Sequence, residues 1–306
     1  MARDYDPDPA INTPGLSRQE ECEPSEALLR KALRERTLDD RGQNAQFGNG
    51  PAELREFEPR RVYELRGRTY RLRPSETATL VEIGKFRIIA LEHLCEFAYR
   101  GEKTRLRPEI ENLIRKGLIQ MKSVPHAEKG SRRLLALTRT GHRLLKEANM
   151  VGKEQALYHG FSKPRDAHHD ADLYRIYQKT ARKIEQAGGR HLRVVLDYEL
   201  KKRVNHDLAK LGSEGASAET KYAVAERHDL QVVRGKIPLP DVRIEYDTPE
   251  GERARVDIEL ATSHYRLRDL VEKIRAGFSI YADAGELPHL RRVLDQRELT
   301  AEILSL

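Results

Sequence analysis

Asp257 and Glu259 stand two apart in the stretch RARVDIELATSHYR, residues 253–266, inside an apolar alternation of Val256, Ile258 and Leu260. Side chains alternate across a strand, so the two carboxylates share one face with Ala261 while the apolar residues take the other. Upstream, Asp241 follows Pro240 and opens a second strand, DVRIEY, and the turn DTPEGE, punctuated by Pro249 and Gly251, joins the two into a hairpin. A carboxylate at the start of one strand and two on its neighbour can converge on one point. Oxygen ligands of that kind suit Mg²⁺ or Mn²⁺, and such a cation polarises a phosphoryl oxygen and lowers the pKa of an attacking water. Asp241, Asp257 and Glu259 are therefore candidate metal ligands for phosphodiester cleavage. The same alternation also suits the solvated polar face of an antiparallel hairpin.

Other chemistries have less support. GSEGAS lacks the GK[ST] ending of a phosphate loop, no GxSxG occurs, and Cys22 and Cys95 lie far apart with no CxxC or Cys/His spacing for zinc. DAHHD, residues 166–170, carries metal-ligand types but reads first as a helix N-terminus capped by Asp166 or Asp170. Tyr174, Tyr177 and Tyr281 could stack on bases, yet their helical spacing favours core packing.

The charge balance points to a polyanionic partner. The chain is +7 overall, but residues 1–50 carry seven Lys or Arg against ten Asp or Glu, which leaves the remaining residues at 49 − 39 = +10. A basic body attracts polyanions without fixing a fold. Two cysteines fit a reducing cytoplasm, and no run approaches the roughly 20 apolar residues of a membrane span.

Residues 1–55, rich in Pro, Asp and Glu, read as a disordered acidic leader. RRVYELRGRTYRLR alternates about Arg66-Gly67 as a short hairpin. From Pro74 the period becomes helical, through SETATLVEIGKFRIIALEHLCEFAY and RPEIENLIRKGLI, in which Ile110, Leu113, Ile114 and Leu118 fall on one face. IQMKSV and RRLLALT read as strands around the polar PHAEKGS, and RTGHRLLKEAN as a helix. After a linker, residues 151–166, DADLYRIYQKTARKIEQ predicts an amphipathic helix ended by Gly188-Gly189, and HLRVVLDYEL a strand.

Three helices, then strand, loop, strand and helix, resemble a winged helix-turn-helix domain. IENLIRKGLIQ and ALTRTGHRLL are similar to that family's xxLxxxGLI … LTxxGxxLL frame. The resemblance implies that the third helix enters the major groove of double-stranded DNA, with Lys103, Thr104, Arg105, Arg107, Asn112 and Arg115 facing it, and that Lys129, Arg132 and Arg133 lie on the wing. Glu109 and Glu111 dilute the positive field of that helix, as befits a protein-interaction module.

Pro240-Asp241 followed by the acidic strand resembles the PD-(D/E)xK nucleases. Ala261 stands where their lysine is expected, so either Glu259 replaces it or Lys273, on the shoulder of the next helix's apolar stripe, supplies the ammonium. The two halves in this order, with LPD and EKIRAGFSIY, resemble the replication-relaxation family of plasmid and mobile-element proteins over roughly residues 74–285. The expected fold is α+β with two domains: a β-hairpin plus winged helix-turn-helix over 56–150, and a PD-(D/E)xK-like α/β domain with a mixed sheet over 167–306. The implied function is DNA binding in replication or relaxation, with Mg²⁺- or Mn²⁺-dependent cleavage at Asp241, Asp257, Glu259 and Lys273. The alternative is a non-enzymatic regulator whose second domain mediates homodimerisation or partner binding.

Overall fold

Strand β1 (Arg61–Leu65) pairs antiparallel with β2 (Arg68–Leu72), and the chain reverses at Arg66 and Gly67, whose φ angles of 51° and 73° suit the tight turn that Arg-Gly provides. The computed structural model describes residues 59–126, 130–161, 166–211, 217–261, 267–282, 285, 288, 290–292 and 303–305. The expected leader and Lys129 lie outside the described residues.

Helix α1 (Pro74–Lys85) starts with Pro at its first position, and the Arg73 N–H donates to Glu76 Oε2 at 2.8 Å. The long helical pattern beyond it breaks at Phe86, and β3 (Ile89–Ala90) pairs with Leu135 and Leu134. Ile88, Ile89 and Ala90 are all buried, so the local pattern is not the one-sided stripe of a surface helix. Helices α2 (Leu91–Phe97) and α3 (Lys103–Arg115) follow, then strands β4 (Ile119–His126) and β5 (Gly130–Leu137), and helix α4 (Arg139–Glu147). The sheet order β3-β5-β4 and the helix order make this half winged-helix-like.

The Leu-Thr-x-x-Gly text has a physical cause. Thr138 Oγ1 caps α4 by accepting the Gly141 N–H at 3.1 Å, and a Cβ on Gly141 would lie 2.1 Å from the Leu118 carbonyl oxygen. Only glycine lets the helix start pass so close to the end of α3's loop.

The second half is a mixed sheet in the order β10-β9-β8-β7-β6. It runs through helix α5 (Ala167–Gln186), β6 (Arg190–Leu196), helices α6 (Asp197–Leu211) and α7 (Ala218–Arg227), and strands β7 (Val242–Asp247) and β8 (Arg253–Ala261). Helix α8 (Leu267–Arg275), β9 (Ser279–Ala282) and β10 (Ile303–Ser305) complete it. Strands β6, β7 and β8 are antiparallel, whereas β8, β9 and β10 are parallel, so α8 is the crossover that a parallel step requires. HLRVVLDYEL is not one strand: β6 stops at Leu196 and Asp197 opens α6, where a carboxylate favours the positive end of the helix dipole.

Helix α5 packs on both halves. Tyr174 and Tyr177 each meet Phe86 edge-to-face at 5.2 Å, and Ala167 and Ala171 pack with Ile88, Ala90 and Leu134. Its other buried residues join Val194, Ile244, Ile258 and Leu260 in the same cluster. Tyr281 also belongs to this core, its hydroxyl 2.9 Å from Thr180 Oγ1, so the tyrosines pack rather than stand ready to stack. The stretch before α5 is tied down too. Gln155 bonds both the N–H and the C=O of Val194, at 3.1 and 3.0 Å, and so occupies the open edge of β6 as another strand would.

Candidate nucleic-acid interface and acidic site

On α3 a spacing of four places Lys103, Arg107, Glu111 and Arg115 along one exposed strip, with Thr104 beside them. Arg107 and Glu111 pair at 2.9 Å in the open, where such a pair is weak and readily exchanged for another anion. Glu109 turns the other way. It is 3% exposed and accepts from Ser75 Oγ at 2.8 Å and from the Tyr99 hydroxyl at 2.7 Å, which also lies 2.6 Å from Thr79 Oγ1. Burial, then the Glu109 charge, holds the Tyr99 phenol far above its ordinary pKa, so it stays a donor. The acid that dilutes the helix in the sequence thus faces the core.

Two residues read as groove-facing are placed elsewhere. Asn112 Nδ2 donates to Glu76 Oε1 at 2.5 Å, while its Oδ1 accepts from Lys116 Nζ at 3.0 Å and Arg115 at 3.3 Å. Arg105 leans on the Tyr99 ring, 5.9 Å from its centroid, and lies 3.6 Å from Glu109. Leucines at 106 and 113 and Ile110 bury the opposite face of α3, so its rotation is fixed and these two fall on the flanks.

On the wing, Arg133 is exposed, but Arg132 is not a surface contact. Strand alternation turns it inward, where it is 4% exposed. It donates to Glu92 Oε1 at 2.8 Å and Asp172 Oδ1 at 2.7 Å, and touches the His93 ring at 3.2 Å, joining α2 and α5 to the wing strand. Burial, then the Arg132 charge, lowers the His93 pKa to about 4.

The acidic face divides into three separate partnerships. Arg243, opposite Asp257 in the β7–β8 register, grips its carboxylate with both arms at 2.6 and 2.8 Å and spends its remaining donors on the His228 and Asp229 carbonyls, at 2.6 and 3.1 Å. Glu259, 1% exposed, meets Lys273 Nζ at 2.8 Å, and the same ammonium bonds the Leu239 carbonyl just before Pro240-Asp241. Helix α8 therefore does bring Lys273 round to the sheet. Asp241 Oδ2 accepts the Leu260 N–H at 2.9 Å and faces His169 Nε2 at 3.3 Å.

That histidine comes from the DAHHD stretch, whose capping reading is not realised by Asp166: it stands at the N-cap without a side-chain cap bond. Around Asp241 and His169 gather Asp170, whose carboxylate is 3.7 Å from His169 Nδ1 and 3.6 Å from Arg87, and the backbone of Asp197, whose N–H donates to the Asp241 carbonyl at 3.1 Å. Burial depresses His169, but bonds and charges from Asp170 and Asp241 more than reverse it and raise its pKa to about 10. Burial, then Asp241 and Asp170, raises Asp197. The DAHHD stretch is visible in the sequence but nothing local ties His169 or Asp170 to Asp241, and Arg87 carries no sequence signal, because each comes from a segment far from LPD.

Among the described residues no group of three or more His, Cys, Asp or Glu side chains is arranged to hold a metal ion. The proposed set of Asp241, Asp257 and Glu259 does not fit one as it stands, since Arg243 and Lys273 already neutralise two of the three.

No family model matches this chain, and no curated protein does. Among solved structures, Bacillus subtilis PadR in complex with operator DNA is similar at 15% identity, over 51% of this chain and 93% of that one, with a TM-score of 0.22. So low a score leaves the winged-helix reading resting on the chain's own elements. Among the described residues no helix is long and apolar enough to cross a membrane.

Proposed function

We propose that this chain binds double-stranded DNA through α3, with the β4–β5 wing beside it. The observation that carries this reading is the exposed strip Lys103, Thr104, Arg107 and Arg115 on the third helix of a winged-helix order, whose one buried acid points away from it. An exposed arginine on such a helix can read a guanine bidentately, at about 1–3 kcal/mol per pair, while the lysine neutralises phosphate. The resemblance drawn from the sequence directs the search for a preferred site to replication regions of plasmids and mobile elements. Site selection from a random duplex pool, repeated with Arg107→Ala and Arg115→Ala, tests it. The selected motif should relax at one position in each variant, and motifs unchanged by both substitutions would refute groove entry by α3.

A second reading, phosphodiester cleavage in the sheet domain, is favoured by the Lys273–Glu259 contact and by the helix, antiparallel meander, helix and parallel strand order around it. As paired, these carboxylates are not arranged to hold magnesium or manganese, so binding of either ion would require Asp241 to leave His169 and Glu259 to leave Lys273. Calorimetric titration of either ion into the full chain and into Asp241→Asn checks it: binding heat in the first and none in the second supports it, and no heat in either refutes it.

A further inference from the structure

The β1–β2 hairpin forms its own two-stranded sheet ahead of the winged-helix elements. Leu65, Tyr70 and Leu72 are buried on one face with Tyr63 packed beside them, and the register places Arg61 and Arg68 at the exposed ends of that face and Arg71 on the other. Its exposed positions are dominated by arginine. Arg60, Arg61, Arg66, Arg68 and Arg71 are all exposed, with Glu64 the one acid in residues 60–72.

Among the described residues none of these five arginines is in an ion pair, and Arg68 lies over the Tyr70 ring at 5.4 Å. Some exposed arginines elsewhere do find carboxylates, as Arg107 does with Glu111, Arg227 with Asp207 and Arg268 with Glu272, while the hairpin gathers five that do not within twelve residues. A like-charged group without internal partners opposes folding through self-repulsion and is relieved by a polyanion.

The hairpin's position is also specific. Its exit residue Arg73 bonds Glu76, Glu76 holds Asn112, and Asn112 holds Arg115 and Lys116 at the C-terminal end of α3. Arg60 is near enough that, after burial, its charge adds to that of Arg115 in lowering the Lys116 pKa. The base of the hairpin therefore continues the basic end of α3, and five residues of strand carry the Arg66 turn about 15 Å further. Along that distance a duplex presents roughly one charge per 1.7 Å of axis.

We propose that the β1–β2 hairpin is a second DNA contact, an arginine clamp on the phosphate backbone that extends the α3 contact along the duplex; this rests on the reading of α3 as the groove helix. Phosphate contacts carry no sequence information, so the clamp adds affinity equally to every duplex.

The test is a fluorescence-anisotropy titration of the full chain against a short labelled duplex of mixed sequence over a series of salt concentrations. Replacing Arg60, Arg61, Arg66 and Arg68 together by alanine should make the slope of log K against log salt shallower by about 0.9 for each phosphate no longer neutralised, equally on unrelated duplexes. Lysine at the same positions should keep the slope. If the alanine variant does not fold, Arg66→Ala alone, at the solvent-exposed turn, should still lower the slope by about 0.9. A wild-type slope in the hairpin variants, alongside weakened binding by Lys103→Ala/Arg107→Ala/Arg115→Ala, overturns the clamp and leaves the groove reading standing. No salt-dependent binding by the wild-type chain overturns both.

Discussion

Replacing Arg132 by methionine separates a structural arginine from a DNA-contacting one. The substitution keeps an unbranched stem and removes the guanidinium that bonds Glu92 and Asp172 and touches His93. Breaking a buried ion pair costs about 3–5 kcal/mol, chiefly through the charges left behind. Here the carboxylates reach water, with Glu92 and Asp172 side chains 38% and 27% exposed, so part of that cost is recovered by hydration and about 2–4 kcal/mol remains. For a chain of this size that is a fall in unfolding midpoint of about 5–12 °C. The pH dependence carries a second signature. His93 has a folded pKa of about 4, below its unfolded 6.5, so the stability it contributes is present above pH 6.5 and is lost as pH falls toward 4. Without Arg132 the His93 ring can take a proton more readily and offer it to Asp172, so the variant's deficit should shrink between pH 7.5 and pH 5. Urea unfolding at the two pH values measures both effects. A variant with wild-type stability but a shallower salt dependence of DNA binding would refute this reasoning and return Arg132 to the wing surface.

Further outcomes follow from the same contacts. Gly141→Ala should destabilise the chain by more than Thr138→Ala, which removes one cap worth about 1 kcal/mol, because the added Cβ meets the Leu118 carbonyl; comparable unfolding free energies would contradict that packing. Lys273→Met should cost about 3–5 kcal/mol by leaving buried Glu259 short of its cation, and adding Glu259→Gln should recover part of it in chemical denaturation. His169 has a folded pKa of about 10, above its unfolded value, so its stabilisation is complete below pH 6.5 and is lost as pH rises toward 10; His169→Gln should lack that alkaline decline in midpoint.

Much of the fold is legible where one local signal dominates. Arg66-Gly67 announces the hairpin, the stripe of Ile110, Leu113 and Ile114 sets α3, and Pro240-Asp241 with the alternation of Val256 and Ile258 sets β7 and β8. The signal fails where tertiary pairing overrides period, as when Ile89 and Ala90 leave a helical run to join β5. It fails again at charged side chains. Lys273 could be placed near the sheet from helical angles alone, but nothing local distinguishes Arg133, exposed on the wing, from Arg132, buried beneath it. Likewise the partner of Asp257 is a cross-strand arginine rather than another acid, and the partner of Asp241 comes from α5, 72 residues away. A face of carboxylates in the sequence becomes, once each finds its cation, a set of separate ion pairs.

The DNA binding proposed for this chain turns on contact between the exposed strip of α3 and DNA. It is tested most directly by measuring duplex affinity against salt for the wild-type chain and for Lys103→Ala/Arg107→Ala/Arg115→Ala, with unfolding followed in parallel. The wild type should show a steep negative slope, and the variant a slope shallower by up to about 3 with closely similar stability. Equal affinities and equal slopes, with both proteins folded, would contradict it.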